Sequence, residues 1–194
     1  RMGYPTANTK FYTVATTGGT PEPMILPFGF VGSMSDDGSM MAYQPHRFWD
    51  PEWRNYRGGQ AQPIWIFNMK THETTKTIQG DRERHTAPVW DNGILYFLSE
   101  QDYANNVWSY NPKTKAQKQL TFHKDYDVKN LSASNGVLIY EQGARLHSYD
   151  IATGKTKPLT INANGDLNWG RARWNNISGA QLTNASLSPT GKRA

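Results

Sequence analysis

Short runs of apolar and aromatic residues alternate with polar turns along this 194-residue chain, and no stretch carries a helical period. One recurring unit is a polar turn ending in Gly, followed by a strand-like run. It reads Ser35-Asp36-Asp37-Gly38 into Met40-Met41-Ala42-Tyr43, Asp91-Asn92-Gly93 into Ile94-Leu95-Tyr96-Phe97, and Ser134-Asn135-Gly136 into Val137-Leu138-Ile139-Tyr140. Ser188-Pro189-Thr190-Gly191 before Lys192-Arg193-Ala194 begins the same way. A terminal Gly supplies the positive φ of a tight hairpin, and β-branched or aromatic residues suit the pleated surface after it. The second unit is an aromatic strand, a turn and a return strand: Phe11-Tyr12-Thr13-Val14 before Thr17-Gly18-Gly19, Ile64-Trp65-Ile66-Phe67 before Asn68-Met69-Lys70-Thr71, Val107-Trp108-Ser109-Tyr110 before Asn111-Pro112-Lys113-Thr114, and Leu146-His147-Ser148-Tyr149 before Asp150-Ile151-Ala152-Thr153-Gly154. Two alternating hairpins make a four-stranded antiparallel unit. The glycines at 38, 93, 136 and 191 are 55, 43 and 55 residues apart, near the roughly 40–50 residues of a propeller blade. The expectation is an all-β protein, a β-propeller of about three full blades with partial ones at each end. An open meander or a two-layer sandwich would explain the turns but not the strict alternation. A propeller closes with about four blades or more, and the last repeat stops where the others continue a strand. Both points predict a segment of a longer protein.

Two connections exceed their counterparts. With strands labelled a to d, the first b-to-c connection spans 20 residues against 9 and 5 in later repeats, and the last d-to-a connection spans 30 against 14. Successive connections of an up-and-down blade alternate faces, so both insertions are expected on the face opposite the tight turns. The first reads His46-Arg47-Phe48-Trp49-Asp50-Pro51-Glu52-Trp53-Arg54-Asn55-Tyr56-Arg57-Gly58-Gly59, and the second contains Asn168-Trp169-Gly170-Arg171-Ala172-Arg173-Trp174. Arg presents a planar fork of donors matched to carboxylates, and Trp or Tyr gives rigid contact area, a pairing suited to peptides and other anionic chains. Trp53, Arg54, Tyr56, Arg57, Arg171, Arg173 and Trp174 are therefore the candidate substrate-binding residues. A purely structural alternative has the aromatics pinning long loops and Arg54 and Arg57 answering Asp50 and Glu52.

Composition changes this picture mainly by exclusion. The chain has 37% hydrophobic residues, 17 Gly and 11 Pro, which is core-forming and not low-complexity. Its 21 basic and 16 acidic side chains give a formal charge of +5, with the whole excess in the second half. Lys113, Lys115, Lys118, Lys124 and Lys129 are scattered among polar residues and Asp125 and Asp127, with no basic helix or aromatic-and-basic strand, so nucleic acid is not an expected partner. No apolar run approaches the length of a membrane span. Absence of Cys removes thiol nucleophiles and Cys-ligated metals, and leaves the compartment, cytoplasmic or bacterial periplasmic, undetermined. Catalytic and metal-ligating constellations are missing, and no cofactor is implied: there is no nucleophile elbow, His-Glu-x-x-His pair or phosphate-cradling loop. His46, His72, His85, His123 and His147 fall without ligand spacing, and His147 takes the slot of Tyr12, Trp65 and Trp108, a packing position. Asp125 and Asp127 read as a solvated turn.

Several stretches together resemble a known family. Met41-Ala42-Tyr43-Gln44-Pro45, the segment from Trp53-Arg54-Asn55-Tyr56-Arg57-Gly58-Gly59 through Pro63-Ile64-Trp65-Ile66, Val89-Trp90 with Ile94 to Ser99, Asp127-Val128 with Ile139 to Gly143, and the closing Leu187 to Ala194 are similar to the six-bladed amino-terminal propeller of tricorn-type serine peptidases. The resemblance implies later blades of that propeller over residues 1–184, with residues 185–194 leading into a following propeller or closing strand. It also implies a modular parent peptidase whose serine nucleophile lies outside this segment, and a propeller that acts as scaffold and guides peptides in proteolysis. Implied partners are peptides, other domains of the same chain and further copies of it. An arginine pair associated in the family with the peptide carboxyl terminus has no adjacent Arg-Arg counterpart here, so Arg54 and Arg57, then Arg171 and Arg173, are its expected substitutes. A non-enzymatic TolB-like propeller binding a protein or sugar is the alternative, and a propeller attached to a prolyl-oligopeptidase-type hydrolase is a third.

Overall fold

The computed structural model describes residues 9–26, 28–47, 54–162, 165, 168–176, 178–181 and 184–192. Two compact units are present, residues 1–160 and 161–194. The first opens with a two-stranded hairpin, β1 (Tyr12–Thr13) and β2 (Glu22–Pro23), and continues in three four-stranded antiparallel sheets. The first blade is β3 (Gly32–Met34), β4 (Met40–Tyr43), β5 (Trp65–Asn68) and β6 (Thr74–Lys76). The second is β7 (His85–Asp91), β8 (Ile94–Ser99), β9 (Asn106–Tyr110) and β10 (Gln117–Gln119). The third is β11 (Val128–Ser134), β12 (Val137–Gln142), β13 (Arg145–Asp150) and β14 (Lys155–Pro158). Strand order within each sheet follows chain order, as the alternating hairpins predict.

Local chemistry fixes the turns. Asn92-Gly93 and Asn135-Gly136 carry φ of 49° and 73°, and 51° and 78°, the left-handed pairs a two-residue hairpin needs. The outer hairpins close on a shared device: the side-chain oxygen of Asn68, Asn111 or Asp150 accepts backbone N–H bonds from the turn that follows, and His72, Lys115 and Gly154 return at φ of 60°, 58° and 69°.

Blades stack through alternating side chains. On β8, Leu95 and Phe97 face the first blade with Trp90 and Tyr110, meeting Ala42, Ile64 and Ile66. Their neighbours Tyr96 and Leu98 face the third blade with Val107, meeting Val128, Leu131, Leu138, Tyr140 and Tyr149. Met41, Tyr43 and Phe67 turn the other way, onto Leu26, Phe11 and Met24. Polar ties cross the same junctions: Trp90 Nε1 donates to the Ser33 carbonyl at 3.1 Å, and the Gly136 N–H donates to Asp91 Oδ2 at 3.0 Å. Strand a of each blade lies against strand a of the next, β3 on β7 and β7 on β11, which is radial packing about a common axis. Outer strands carry Thr74, Thr75 and Lys76, Gln117, Lys118 and Gln119, or Lys155, Thr156, Lys157 and Pro158.

Residues 161–194 contain two 3-10 turns, Asn168–Gly170 and Gly179–Gln181. The expected turn at 188–191 is formed, with Gly191 at φ 66° and its N–H bonded to the Ser188 carbonyl at 2.8 Å. The strand expected after it includes residues 193 and 194, which lie outside the described residues.

Candidate functional site: an ion-paired rim above an axial cleft

The b-to-c and d-to-a connections of the first unit meet on one rim. Asn55 sits at φ 54°, a conformation Asn tolerates, and its N–H donates to Glu100 Oε2 at 2.9 Å. That turn sends its two flanking arginines to different blades. Arg54 reaches across the second blade and forks onto Asp127, with Nε 3.1 Å from both carboxylate oxygens and an Nη 2.7 Å from Oδ1. Asp127 also accepts the Asn105 N–H at 2.8 Å. Burial raises its carboxyl, but Arg54 and the Asn105 N–H outweigh that and hold it below the usual range. Arg57 lies 3.6 Å from Glu100 Oε2 and 3.9 Å from Asp81 Oδ2. Gly58 lies closely under the Tyr56 ring, and a Cβ there would stand 2.1 Å from the phenol oxygen unless the ring moved. The Arg-x-Tyr-Arg-Gly part of the motif is thus a fitted turn as well as a chemical surface.

Glu100 is fully buried at the centre of the rim, bonded by Arg84 as well as by the Asn55 N–H. Burial pushes its carboxyl up, and Arg84 opposes the shift. Beside it Glu83, also buried, accepts the N–H groups of Gly80 and Asp81 at 2.6 and 2.7 Å and lies 3.4 Å from His85 Nε2. Desolvation raises Glu83, but these donors prevail and hold it far below the carboxylate range. His85 Nδ1 lies 2.7 Å from the Thr77 hydroxyl, which accepts the Ile64 N–H at 3.0 Å. All three members of this Glu–His–Thr chain are buried, and it ties the ends of β5 and β6 to the start of β7.

Of the expected binding residues, the structure brings Arg54, Tyr56 and Arg57 together. Trp53 lies outside the described residues, as do Asp50 and Glu52. Among the described residues, the arginines are paired with Asp127, Glu100 and Asp81. Arg171, Arg173 and Trp174 belong to the second unit, where all three are exposed. Asp127 corrects the expectation of a solvated turn: only about a quarter of its side chain is exposed, because a residue 73 positions away covers it. Glu83, Arg84 and Glu100 were not anticipated at all. The one available signal is a charged residue directly after an apolar strand, as in Leu98-Ser99-Glu100. His147 stacks on Tyr140 with centroids 5.3 Å apart, its ring in the slot Trp65 takes beside Tyr43.

Below the rim the inner strands enclose a cleft of about 690 Å³. Phe30, Val31, Val89 and Leu131 give it apolar lining, and Arg47, Arg84, Lys129 and Asp127 line it as well. Bulges in β7 and β11 place Ala87 and Asn130 at φ of 50° and 51°, facing the space. Among the described residues no group of three or more His, Asp or Glu could hold a metal, and no helix is long and apolar enough to cross a membrane.

Radially stacked four-stranded blades around a lined axis define a β-propeller segment. The model of the tricorn protease N-terminal β-propeller domain family matches residues 1–155, and the chain belongs to that family. It is 28% identical over 160 residues to a tricorn protease homolog of Saccharolobus solfataricus, covering 79% of this chain and 14% of that protein. It is 27% identical over 112 residues to the tricorn protease of Thermoplasma volcanium, covering 57% and 11%. The chain thus spans a small part of these relatives. Among solved structures, that of the tricorn protease superposes with a TM-score of 0.67 at 21% identity, over 81% of this chain and 15% of the other. A putative TolB from Agrobacterium tumefaciens gives 0.59 at 17%, over 77% and 55%.

Proposed function

We propose that this propeller segment is a scaffold and peptide-access module of a tricorn-like serine peptidase, with the chemistry carried by other domains of the parent chain. The observation that carries the reading is the axial cleft. Its volume suits an extended peptide segment, apolar side chains wall much of it, and its lining also carries Arg47 and Lys129, with Arg84 paired to Glu100 and Asp127 to Arg54. Arg54, which binds Asp127 of the cleft lining, and its chain neighbours Tyr56 and Arg57 are proposed to contact the peptide, as is Trp53. Arg171, Arg173 and Trp174 are proposed as a second contact set for the same substrates.

The test uses the complete parent enzyme. Filling the cleft with Val31→Trp and Asn130→Trp is expected to slow cleavage of long peptides about tenfold or more, a barrier increase of roughly 1.4 kcal/mol, while short chromogenic substrates keep their rate. Arg54→Ala with Arg57→Ala is expected to raise KM for long peptides in the same assay. Equal effects on both substrate lengths, or none, would sink the access role.

A second reading, a propeller that docks a protein, is favoured by one feature. Tyr103, Phe122 and Tyr126, on two connections of the same rim, are each about two-thirds exposed. A cleft-filled variant with unaltered proteolysis that still retains a specific protein partner would favour it.

A further inference from the structure

The second and third blades turn their first hairpins through the same dipeptide, Asn92-Gly93 and Asn135-Gly136. Both asparagines are exposed, and their φ values of 49° and 51° are nearly identical. We propose that Asn92-Gly93 is a site of spontaneous deamidation and isomerisation, and that Asp91 protects Asn135-Gly136 from the same reaction.

The chemistry needs only water. The glycine backbone nitrogen gives up its proton to solvent and bonds to Cγ of the preceding asparagine. The bond from Cγ to the side-chain amide breaks, and ammonia leaves with a proton from solvent. A five-membered succinimide remains, and water adds to either of its carbonyls, giving aspartate or isoaspartate. Glycine favours the step because no Cβ hinders the approaching nitrogen, and asparagine is among the thermolabile residues for this reason.

Since the two turns have closely similar φ angles and the same two-residue length, backbone restraint is taken to slow both alike. The difference lies in the nucleophile. The Gly136 nitrogen donates to Asp91 Oδ2 at 3.0 Å, and Asp91 is buried on the neighbouring blade. Freeing that nitrogen means turning the buried Asp91 carboxylate away or parting the second and third blades. The Gly93 nitrogen makes no hydrogen bond among the described residues. Asn92 is itself held through Nδ2, 3.0 Å from Asp91 Oδ2, but rotation of a surface side chain releases that bond. A hydrogen bond to a charged acceptor is strong enough to slow the Asn135 reaction about tenfold or more relative to Asn92.

The product acts on the fold. An aspartate at 92 replaces a donor to Asp91 with a second carboxylate, and isoaspartate inserts a methylene into a turn whose length sets the β7–β8 register. Asp91 is also the acceptor for Gly136, so the lesion loosens the junction of the second and third blades.

The experiment incubates the folded chain in mildly alkaline buffer and follows both dipeptides by peptide mapping, with enzymatic methylation to detect isoaspartate. Conversion at Asn92 is expected about tenfold or more ahead of Asn135. In urea the two are expected to react at equal rates, since the tie to Asp91 is gone. Asp91→Ser, where it folds, is expected to bring Asn135 to the Asn92 rate. Equal rates in the folded chain, a faster Asn135, or an Asn92 that stays intact would overturn the proposal, and the urea comparison decides it if the variant does not fold.

Discussion

Two imidazoles, one buried and one half-buried, make the fold sensitive to acid. His85 and His123 are both held below the ordinary value of 6.5 by burial, and for His123 the neighbouring His147 adds to the effect. A histidine kept neutral in the fold takes up a proton more readily when unfolded, so stability falls as pH drops below about 6.5. Glu83 and Asp127, held below the carboxylate range, extend the loss at lower pH, while Glu100, pushed up by burial, works against it. The melting temperature is expected to be lower at pH 5.5 than at pH 7.5, at about 2–4 °C per kcal/mol for a chain of this size, and His123→Gln should shrink the difference. A melting temperature that does not move between those pH values would remove the account. None of this was legible residue by residue: His85 and His123 gained their surroundings from Thr77, Phe97 and Tyr140, which only the folded blades bring near.

The hairpins, in contrast, were readable because their causes are local. Turn glycines, Asx residues and the aromatic run of each strand lie within a few residues of one another, so order and partners of the strands followed directly. The bulges at Ala87 and Asn130 were not readable, since each answers to a partner in the folded sheet or beyond it: the Ala87 N–H is taken by Gln44 Oε1 of the first blade at 3.0 Å. Asp127 escaped for the same reason, its guanidinium partner coming from an insertion two blades earlier. Conformation can be separated from space at two glycines that both have nothing within 4 Å of an added Cβ. Gly136→Ala, at φ 78°, is expected to lose about 1–2 kcal/mol, and Gly59→Ala to stay within about 0.5 kcal/mol. Urea unfolding midpoints measure both, and equal losses would contradict the conformational explanation.

For the molecule as a whole, each blade leans on its neighbours through two separate faces, as in other stacked-repeat architectures. Adjacent residues of β8 therefore serve different junctions, Phe97 toward the first blade and Leu98 toward the third. Phe97→Leu and Leu98→Val are each expected to remove about 1 kcal/mol, and the double variant to lose their sum within about 0.5 kcal/mol. Chemical denaturation of the four proteins checks it, and a coupling well above that figure would mean that the two junctions are one core. The family's parent architecture and the paired insertions were suggested by motif, whereas the cleft arises only when three inner strands come side by side. The outermost strands have a consequence for behaviour in concentrated solution. Their exposed lysines and single proline disfavour growth by sheet extension at these outer edges.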